Sequence, residues 1–372
     1  MEKSPQEELK DIDKLFSSLA KNKGSDLHLK VGAKVIFRVT TVLHEVGNKV
    51  LSATDIKRII YEIMTDSQKN IFEHNLNLDF AYDLEGVGRF RINIYQERGN
   101  VAVAARRVNT GIPSLNDLHL PPVIQEIASL KEGLIIVSGP TSSGKSTTLA
   151  SMIQYINENR KCHIITIEDP IEYLFKDNKS FINQREIGID VASFEDALKY
   201  VVRQNPDVIL IGEIRDSKSV EAALMAAETG HLVLGTIHAS NAAQTISRII
   251  DLFPQERSNL IRQSITLNLK SIICQRLLPS SKKEIRIVPM AEVLVVNPTI
   301  QKLIQTKEDK LILEIMRGSK NEGMQDFNIS LHNLIKNNLI TDENALKFSH
   351  NPDQLKMLLK GISLTDEHKI LG

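Results

Sequence analysis

"GPTSSGKSTT", residues 139–148, follows the short apolar run "GLIIVS", residues 133–138. A strand that runs into a loop bounded by Gly139 and Gly144, then into a helix opening near Lys145, directs several backbone N–H groups at one point. The two glycines let the loop curl and bring its backbone close to phosphate, with Pro140, Thr141, Ser142 and Ser143 as the body of the cradle. Lys145 carries a point charge suited to β- and γ-phosphates, and Ser146 a hydroxyl suited to Mg²⁺. A G-x-x-x-x-G-K-[ST] match arises by chance in roughly one chain of this length in a hundred. The strand before it and the helix after it make coincidence rarer still. The stretch is a P-loop, and the ligands it leads one to expect are ATP and Mg²⁺.

The chain has 372 residues, 42% hydrophobic and 25% charged, enough for two or three domains with well-filled cores. Lys+Arg and Asp+Glu are both 46, so no global basic field recruits nucleic acid. Cys162 and Cys274 are the only cysteines, which excludes a disulfide framework and fits a reducing cytoplasm. No CxxC or HExxH pattern marks a transition-metal site. The segment "MEKSPQEELKDIDK" is charged where a signal peptide would be apolar, and no apolar run approaches the roughly 18 residues of a membrane span. Any membrane association is expected to go through a partner.

Residues 1–108 read as an α+β domain. "LKDIDKLFSSLA" sets Leu9, Ile12, Leu15, Phe16 and Leu19 at helical spacing, with Gly24-Ser25 ending the helix. "DLHLKV", "VIFRV", "LDFAYDL", "GRFRINIYQERG" and "VAVAARRV" are short strands, with the capped helix "SATDIKRIIYEIM" among them. Residues 109–122, with Gly111, Pro113, Pro121 and Pro122, read as a linker. From 123 to 296 apolar strands alternate with helices, which predicts a parallel sheet covered on both faces. Residues 297–372 read as a helical C-terminal region.

Three further strand ends carry chemistry. "PDVILIGEIRD" delivers Glu213 to the carboxyl edge of a buried strand, a Walker B position. Gly212 stands where an aspartate is common, so Glu213 is better suited to orienting water than to direct metal coordination. "IITIEDPIEY" brings Glu168 and Asp169 to the same edge, where carboxylates can hold the water shell of Mg²⁺. His231 and His238, seven apart, bracket another apolar strand at its opposite ends.

In this order and at these distances, the P-loop, the acidic box "ITIEDPIEY" with "NQREIG" after it, "PDVILIGEIRD" and the histidine box "AAETGHLVLGTIH" resemble the secretion-superfamily ATPases. Within them the chain is similar to the type IV pilus retraction ATPases, the PilT and PilU branch, from "DLHLKVGA" near the start to "GMQDFNISL" near the end. The resemblance implies a PAS-like N-terminal domain, a RecA-like P-loop domain with a helical C-terminal part, and homo-hexameric rings. It implies that Lys145, Ser146 and Thr147 bind phosphate and metal, that Glu168 and Glu213 govern water and metal, and that His231 and His238 sense the γ-phosphate. It also implies arginines that reach from the N-terminal domain to a nucleotide. Arg91 in "RFRINIY" and Arg106 in "VAVAARRV" match those positions, with Arg89, Arg98 and Arg107 close by. Guanidinium suits that task because it stays charged and spreads its donors over phosphate oxygens.

The implied work is pilus retraction for twitching motility, done from the cytoplasmic face of the inner membrane on a platform protein. Assembly and type II secretion ATPases share the four boxes but usually carry a longer N-terminal region and a tetracysteine zinc insertion. One departure stands out: where the main retraction motors carry "AIRNLI", residues 299–306 read "TIQKLIQT". That leaves open an accessory, PilU-like role beside a sister retraction ATPase. A hexameric nucleic-acid translocase would need basic and aromatic pore loops, which zero net charge, no Trp and 5% aromatic residues do not favour. A silent nucleotide-binding scaffold conflicts with the intact Lys145, Glu168 and Glu213.

Overall fold

Two sheets organise the computed structural model, which describes residues 10–39, 42–108 and 111–361. They belong to two units divided between Thr110 and Gly111.

The first unit runs α1 (Asp11–Lys21), β1 (Gly24–Leu29), β2 (Val35–Val39), β3 (Val42–Val46), α2 (Ala53–Tyr61), α3 (Asp66–Asn75), β4 (Asn77–Leu84), β5 (Gly88–Glu97) and β6 (Asn100–Arg107). Its six strands pair antiparallel in the order β3-β2-β1-β6-β5-β4. Ile12, Phe16 and Leu19 of α1 and Ile56, Ile59 and Ile60 of α2 share a core with Leu27, Phe37, Phe90, Ile92 and Ile94 of the sheet. Phe16 stacks on Phe90 with ring centroids 3.9 Å apart. The helix α1 stops at Lys21, ahead of Gly24, which already begins β1. Leu9 lies outside the described residues. The strand β3 and the helix α3 are additions to the sequence reading; α3 is set by a capping box between Thr65 and Gln68.

The second unit runs α4 (Val123–Ala128), β7 (Gly133–Ser138), α5 (Lys145–Asn159), β8 (His163–Glu168), β9 (Phe181–Glu186), α6 (Phe194–Val201), β10 (Val208–Ile211), α7 (Ser217–Glu228), β11 (Leu232–Ile237), α8 (Ala242–Asp251), α9 (Ser258–Asn268), β12 (Leu269–Pro279) and β13 (Ile287–Val295). The helices α10 (Pro298–Thr306), α11 (Ile312–Gly318), α12 (Phe327–Lys336), α13 (Asp342–Phe348) and α14 (Pro352–Leu359) follow. The sheet order is β13-β12-β7-β11-β10-β8-β9. All neighbours are parallel except β13, which returns antiparallel to β12, so the expected parallel sheet has an antiparallel edge.

Every residue of β7, β10 and β11 is buried, as a sheet covered on both faces requires. Alternate residues serve opposite cores. Ile135, Val137, Leu210 and Leu234 face α4 and α5, while Leu134, Ile136, Ile209 and Val233 face a core shared with α7, α8, α9 and the C-terminal helices. Through Ile300, Ile304, Ile312 and Leu331 those helices are part of the same unit. Residues 111–122 also pack on it: Leu115 is buried, and Ser151 Oγ donates to the Pro113 carbonyl at 2.7 Å.

Candidate functional site

Parallel register brings four strand ends level. Ser138 pairs with Ile237, Gly235 with Ile211, and Ile211 with Ile167, so Gly139, His238, Gly212-Glu213 and Glu168 emerge at one edge. Gly212 explains its own presence there. A Cβ on it would stand 3.2 Å from both Glu168 Cα and the Ile167 carbonyl, so glycine lets β10 and β8 finish side by side. The edge opens into a cavity of about 430 Å³ lined by Ser142, Lys145, Ser146, Glu168, Glu213 and His238, among others.

The loop has the shape its glycines permit. Gly139 has φ +148°, Ser142 +62° and Gly144 +87°, and a Cβ on Gly139 would collide with the Gln275 carbonyl. Gly144 is the N-cap of α5 and brings no side chain to cap it, leaving first-turn amides aimed past the loop, as phosphate binding requires. Lys145 is buried, its Nζ donating to the carbonyls of Gly139 at 3.1 Å and Pro140 at 3.0 Å. Burial holds its pKa below the ordinary lysine value, against the pull of Glu213 and Glu172. Ser146 lines the cavity, and Thr147 Oγ1 shares a 2.9 Å hydrogen bond with the Tyr173 hydroxyl.

The two carboxylates differ in kind. Glu168 is half-buried in the cavity wall; its Oε1 accepts from Thr166 Oγ1 at 2.7 Å and Gln184 Nε2 at 3.3 Å, and burial pushes its pKa up. Glu213 also feels burial, but Arg215 at 2.7 Å, with His238 at 3.3 Å and Lys145 beyond, takes its pKa below the ordinary value. Asp169 stands at the outer rim, 3.9 Å from Arg215. The donors are hydroxyl and carboxylate oxygens. Among the described residues no group of three or more His, Cys, Asp or Glu side chains could hold a metal. This donor set fits Mg²⁺ carried largely by phosphate and water, with few protein ligands.

Arg91 and Arg106 sit opposite each other on β5 and β6 of the first unit. Arg106 Nε donates to buried Asp26 at 2.7 Å while 73% of its side chain stays exposed; Arg91 Nε lies 3.7 Å from Asp79. Arg89 instead pairs with Asp83, and Arg98 with Glu97.

A type II/IV secretion system protein family model matches residues 2–293. The type IV pilus ATPase PilU of Pseudomonas aeruginosa is 38% identical over 350 residues, 94% of this chain and 91% of its own. PilT of the same organism, the type IV pilus retraction ATPase, is 36% identical over 343 residues, 92% and 99% of the two chains. A crystal structure of the pilus retraction motor PilT with bound ADP superposes with a TM-score of 0.86 at 42% identity, covering 94% of this chain and 99% of that one. The chain belongs to the type IV pilus retraction ATPases, within the type II/IV secretion system proteins.

In this retraction ATPase one sequence expectation needs correction. His231 stands at the opposite end of β11 from His238, its carbonyl accepting from Gly133 N at the start of β7 and its Nδ1 2.9 Å from the Ala226 carbonyl. Seven residues of strand put it roughly 20 Å from the P-loop edge, so it does not sense phosphate in its own chain's pocket. Four residues of the site went unassigned in the sequence. Arg215, Tyr173 and Gln184 lie within the quoted boxes, where only their neighbours drew notice. Gln275, which bonds to the P-loop from β12, lies in no motif and left no signal.

The raised Glu168 pKa has a consequence for stability. Above the unfolded carboxyl value near 4.5 the native protein holds this proton more tightly than the unfolded chain, so the residue's cost grows as pH rises through the native pKa. Glu168→Gln is expected to raise the thermal midpoint of the ATPase, by an amount that increases with pH, while ATP turnover falls. A midpoint difference independent of pH, read by calorimetry across the acid to neutral range, would show that Glu168 ionises as freely as an exposed carboxyl.

Proposed function

We propose that the protein is a homo-hexameric, Mg²⁺-dependent ATP motor that retracts type IV pili and so powers twitching motility. One observation carries the reading: the P-loop, Glu168, Glu213 and His238 converge at one sheet edge around a single cavity. When bound, Mg²⁺ would add positive charge at the β- and γ-phosphates; the Ser146 hydroxyl would hold it, with Glu168 and Glu213 fixing its waters. Lys145 leaves the loop carbonyls for phosphate. Glu213, kept ionised by Arg215, accepts a hydrogen bond from the attacking water and orients it. His238, in contact with Glu213, is placed to register the γ-phosphate.

The six-stranded antiparallel sheet with helices packed on its core face supports the PAS-like reading of the first unit. Among the described residues Asp26 bonds Arg106 through Nε, which leaves the outer guanidinium nitrogens for a phosphate. We assign that phosphate to a neighbouring subunit, so that ATP closes an interface, hydrolysis releases it, and the cycle becomes domain movement. The load is a pilus platform protein of the inner membrane, engaged from the cytoplasm. Among the described residues no helix is long and apolar enough to cross a membrane. An accessory role beside a sister motor is favoured by one feature, "TIQKLIQT" at 299–306. A deletion strain scored for surface pili tests the direction of work: excess immobile pili are expected, and bald cells would point to assembly instead.

Glu213→Gln is expected to bind ATP and lose turnover, and chelation of Mg²⁺ by excess EDTA to stop the parental enzyme. Parental rates in Glu213→Gln would move the water-orienting role to Glu168, and turnover in EDTA would remove the metal from the chemistry.

An arginine acting on the transferred phosphoryl group is worth on the order of 10³ to 10⁵ in rate, whereas an exposed ion pair is worth little. Arg106→Ala should therefore bind ATP and hydrolyse it poorly, with Arg91→Ala less affected. Mixing Arg106→Ala with Lys145→Ala subunits should restore part of the activity, since some interfaces then join an intact P-loop to an intact arginine. Rings shown to be mixed yet no more active than either parent variant would place catalysis within one chain.

A further inference from the structure

The strand β12 approaches the P-loop from below, and its residue Gln275 is fully enclosed, with 2% of its surface exposed. Both ends of its amide are used. Oε1 accepts from Thr148 Oγ1 at 2.8 Å, and Nε2 donates to the Ser143 carbonyl at 2.7 Å. Ser143 lies in the loop and Thr148 in the first turn of α5, so one side chain spans the junction at which Gly144 and Lys145 sit. The backbone of Gln275 adds a contact of its own, since its carbonyl occupies the space a side chain on Gly139 would need. The preceding residue holds the other face of the turn: Ser138 Oγ donates to Cys274 Sγ at 2.9 Å, and Thr245 Oγ1 to Ser138 Oγ at 3.1 Å.

The loop has few bonds of its own. Ser143 N donates to the Pro140 carbonyl at 3.3 Å and Lys145 Nζ to the Gly139 and Pro140 carbonyls, but Gly139, Ser142 and Gly144 all have positive φ, and among the described residues the buried Ser143 hydroxyl has no hydrogen-bond partner. Once Lys145 turns to phosphate, contacts from outside the loop carry more of its shape. Phosphate binding by backbone amides depends on their convergence, and a small misplacement of a positioning group costs rate out of proportion to the distance. We propose that Gln275 is a positioning residue for ATP turnover, an amide brace that sets the loop against the start of α5 and thereby fixes Lys145 and the first-turn amides around the phosphates. It does not line the cavity. Its polarity is required because an apolar residue of the same shape would leave a buried carbonyl and a buried hydroxyl without partners.

The inference rests on the P-loop holding ATP, so the test carries its own control. Steady-state ATPase assays of the full chain would compare the parent, Gln275→Met, Thr148→Val, the double variant and Lys145→Ala. Gln275→Met should raise KM and lower kcat, each about tenfold, the scale of a lost buried hydrogen bond. Thr148→Val should cost severalfold in the parental background and nothing further beside Gln275→Met, because its partner is already gone. A merely structural role would shift the thermal midpoint and leave KM and kcat of the folded enzyme at the parental values. Parental KM and kcat in Gln275→Met, or an equal cost of Thr148→Val in both backgrounds, overturns the inference. If Gln275→Met does not fold, Thr148→Val alone decides, and a parental KM there overturns it. Full turnover in Lys145→Ala would instead overturn the phosphate-cradle reading on which the inference stands.

Discussion

A sheet buried on both faces can carry charge only at its ends. In β7, β10 and β11 no side chain within the strand meets solvent, so the ionisable groups of the site enter at strand ends or in the segments that follow, from Glu168 as the last residue of β8 to Lys145 beyond the loop after β7. Parallel register then levels those ends, and the four strands deliver lysine, glutamates and histidine to a single edge without any of them being close in sequence. The same constraint accounts for Gly212. With β8 and β10 ending in contact, a side chain before Glu213 would crowd the β8 backbone, and glycine there lets the two ends lie close.

That edge separates two otherwise similar carboxyls. Glu168 sits in the cavity wall and receives neutral hydrogen bonds, from Thr166, Gln184 and the Glu172 backbone, so burial dominates and shifts its pKa up. Glu213 is opened toward the cavity and meets Arg215, so charge dominates and its proton is lost. Groups whose environments push them apart are suited to different work, one poised to trade a proton and the other to stay an anion beside the substrate water. The lysine follows the same logic. Partial enclosure weakens its hold on a proton, while the loop carbonyls keep its head in place near the point where phosphate charge would stabilise it.

Most of the second unit was legible because its strands are continuous apolar runs with chemistry at their ends, and a P-loop announces both the strand before it and the helix after it. The strands β9, β12 and β13 and the antiparallel edge were not legible. The residues of β9 are mostly polar, as in "FINQRE", and β12 owes its place to pairing with β7 more than a hundred residues away. The sensor role of His231 came from the resemblance alone, whereas its spacing from His238 already implied opposite ends of the strand, and the six residues of β11 hold the two there. Gln275 was invisible because a brace is defined by its partners, and Ser143 and Thr148 lie far from it in sequence. The first unit shows the converse. Capping boxes at Ser52 and Thr65 are equally local, but only the one before a strongly amphipathic run was noticed.

The balance of charge around the cavity also bears on why the motor would need more than one chain. Lys145, Arg215 and His238 are the basic side chains that line it among the described residues; Arg215 is already committed to Glu213 and faces Asp169, and His238 also meets Glu213. Against them stand Asp169, Glu172 and Glu213, with Glu168 beside them inclined to keep its proton. A triphosphate brings several further negative charges, and a metal ion offsets only part of them. The site of one chain, on our reading, favours a partner that arrives with its own cations. On our reading the exposed guanidinium of Arg106, anchored by Asp26 but free at its outer nitrogens, is such a group. An engine whose substrate is best neutralised across an interface moves that interface each time the charge on the substrate changes, and this converts phosphoryl transfer into displacement without any lever beyond the domains themselves.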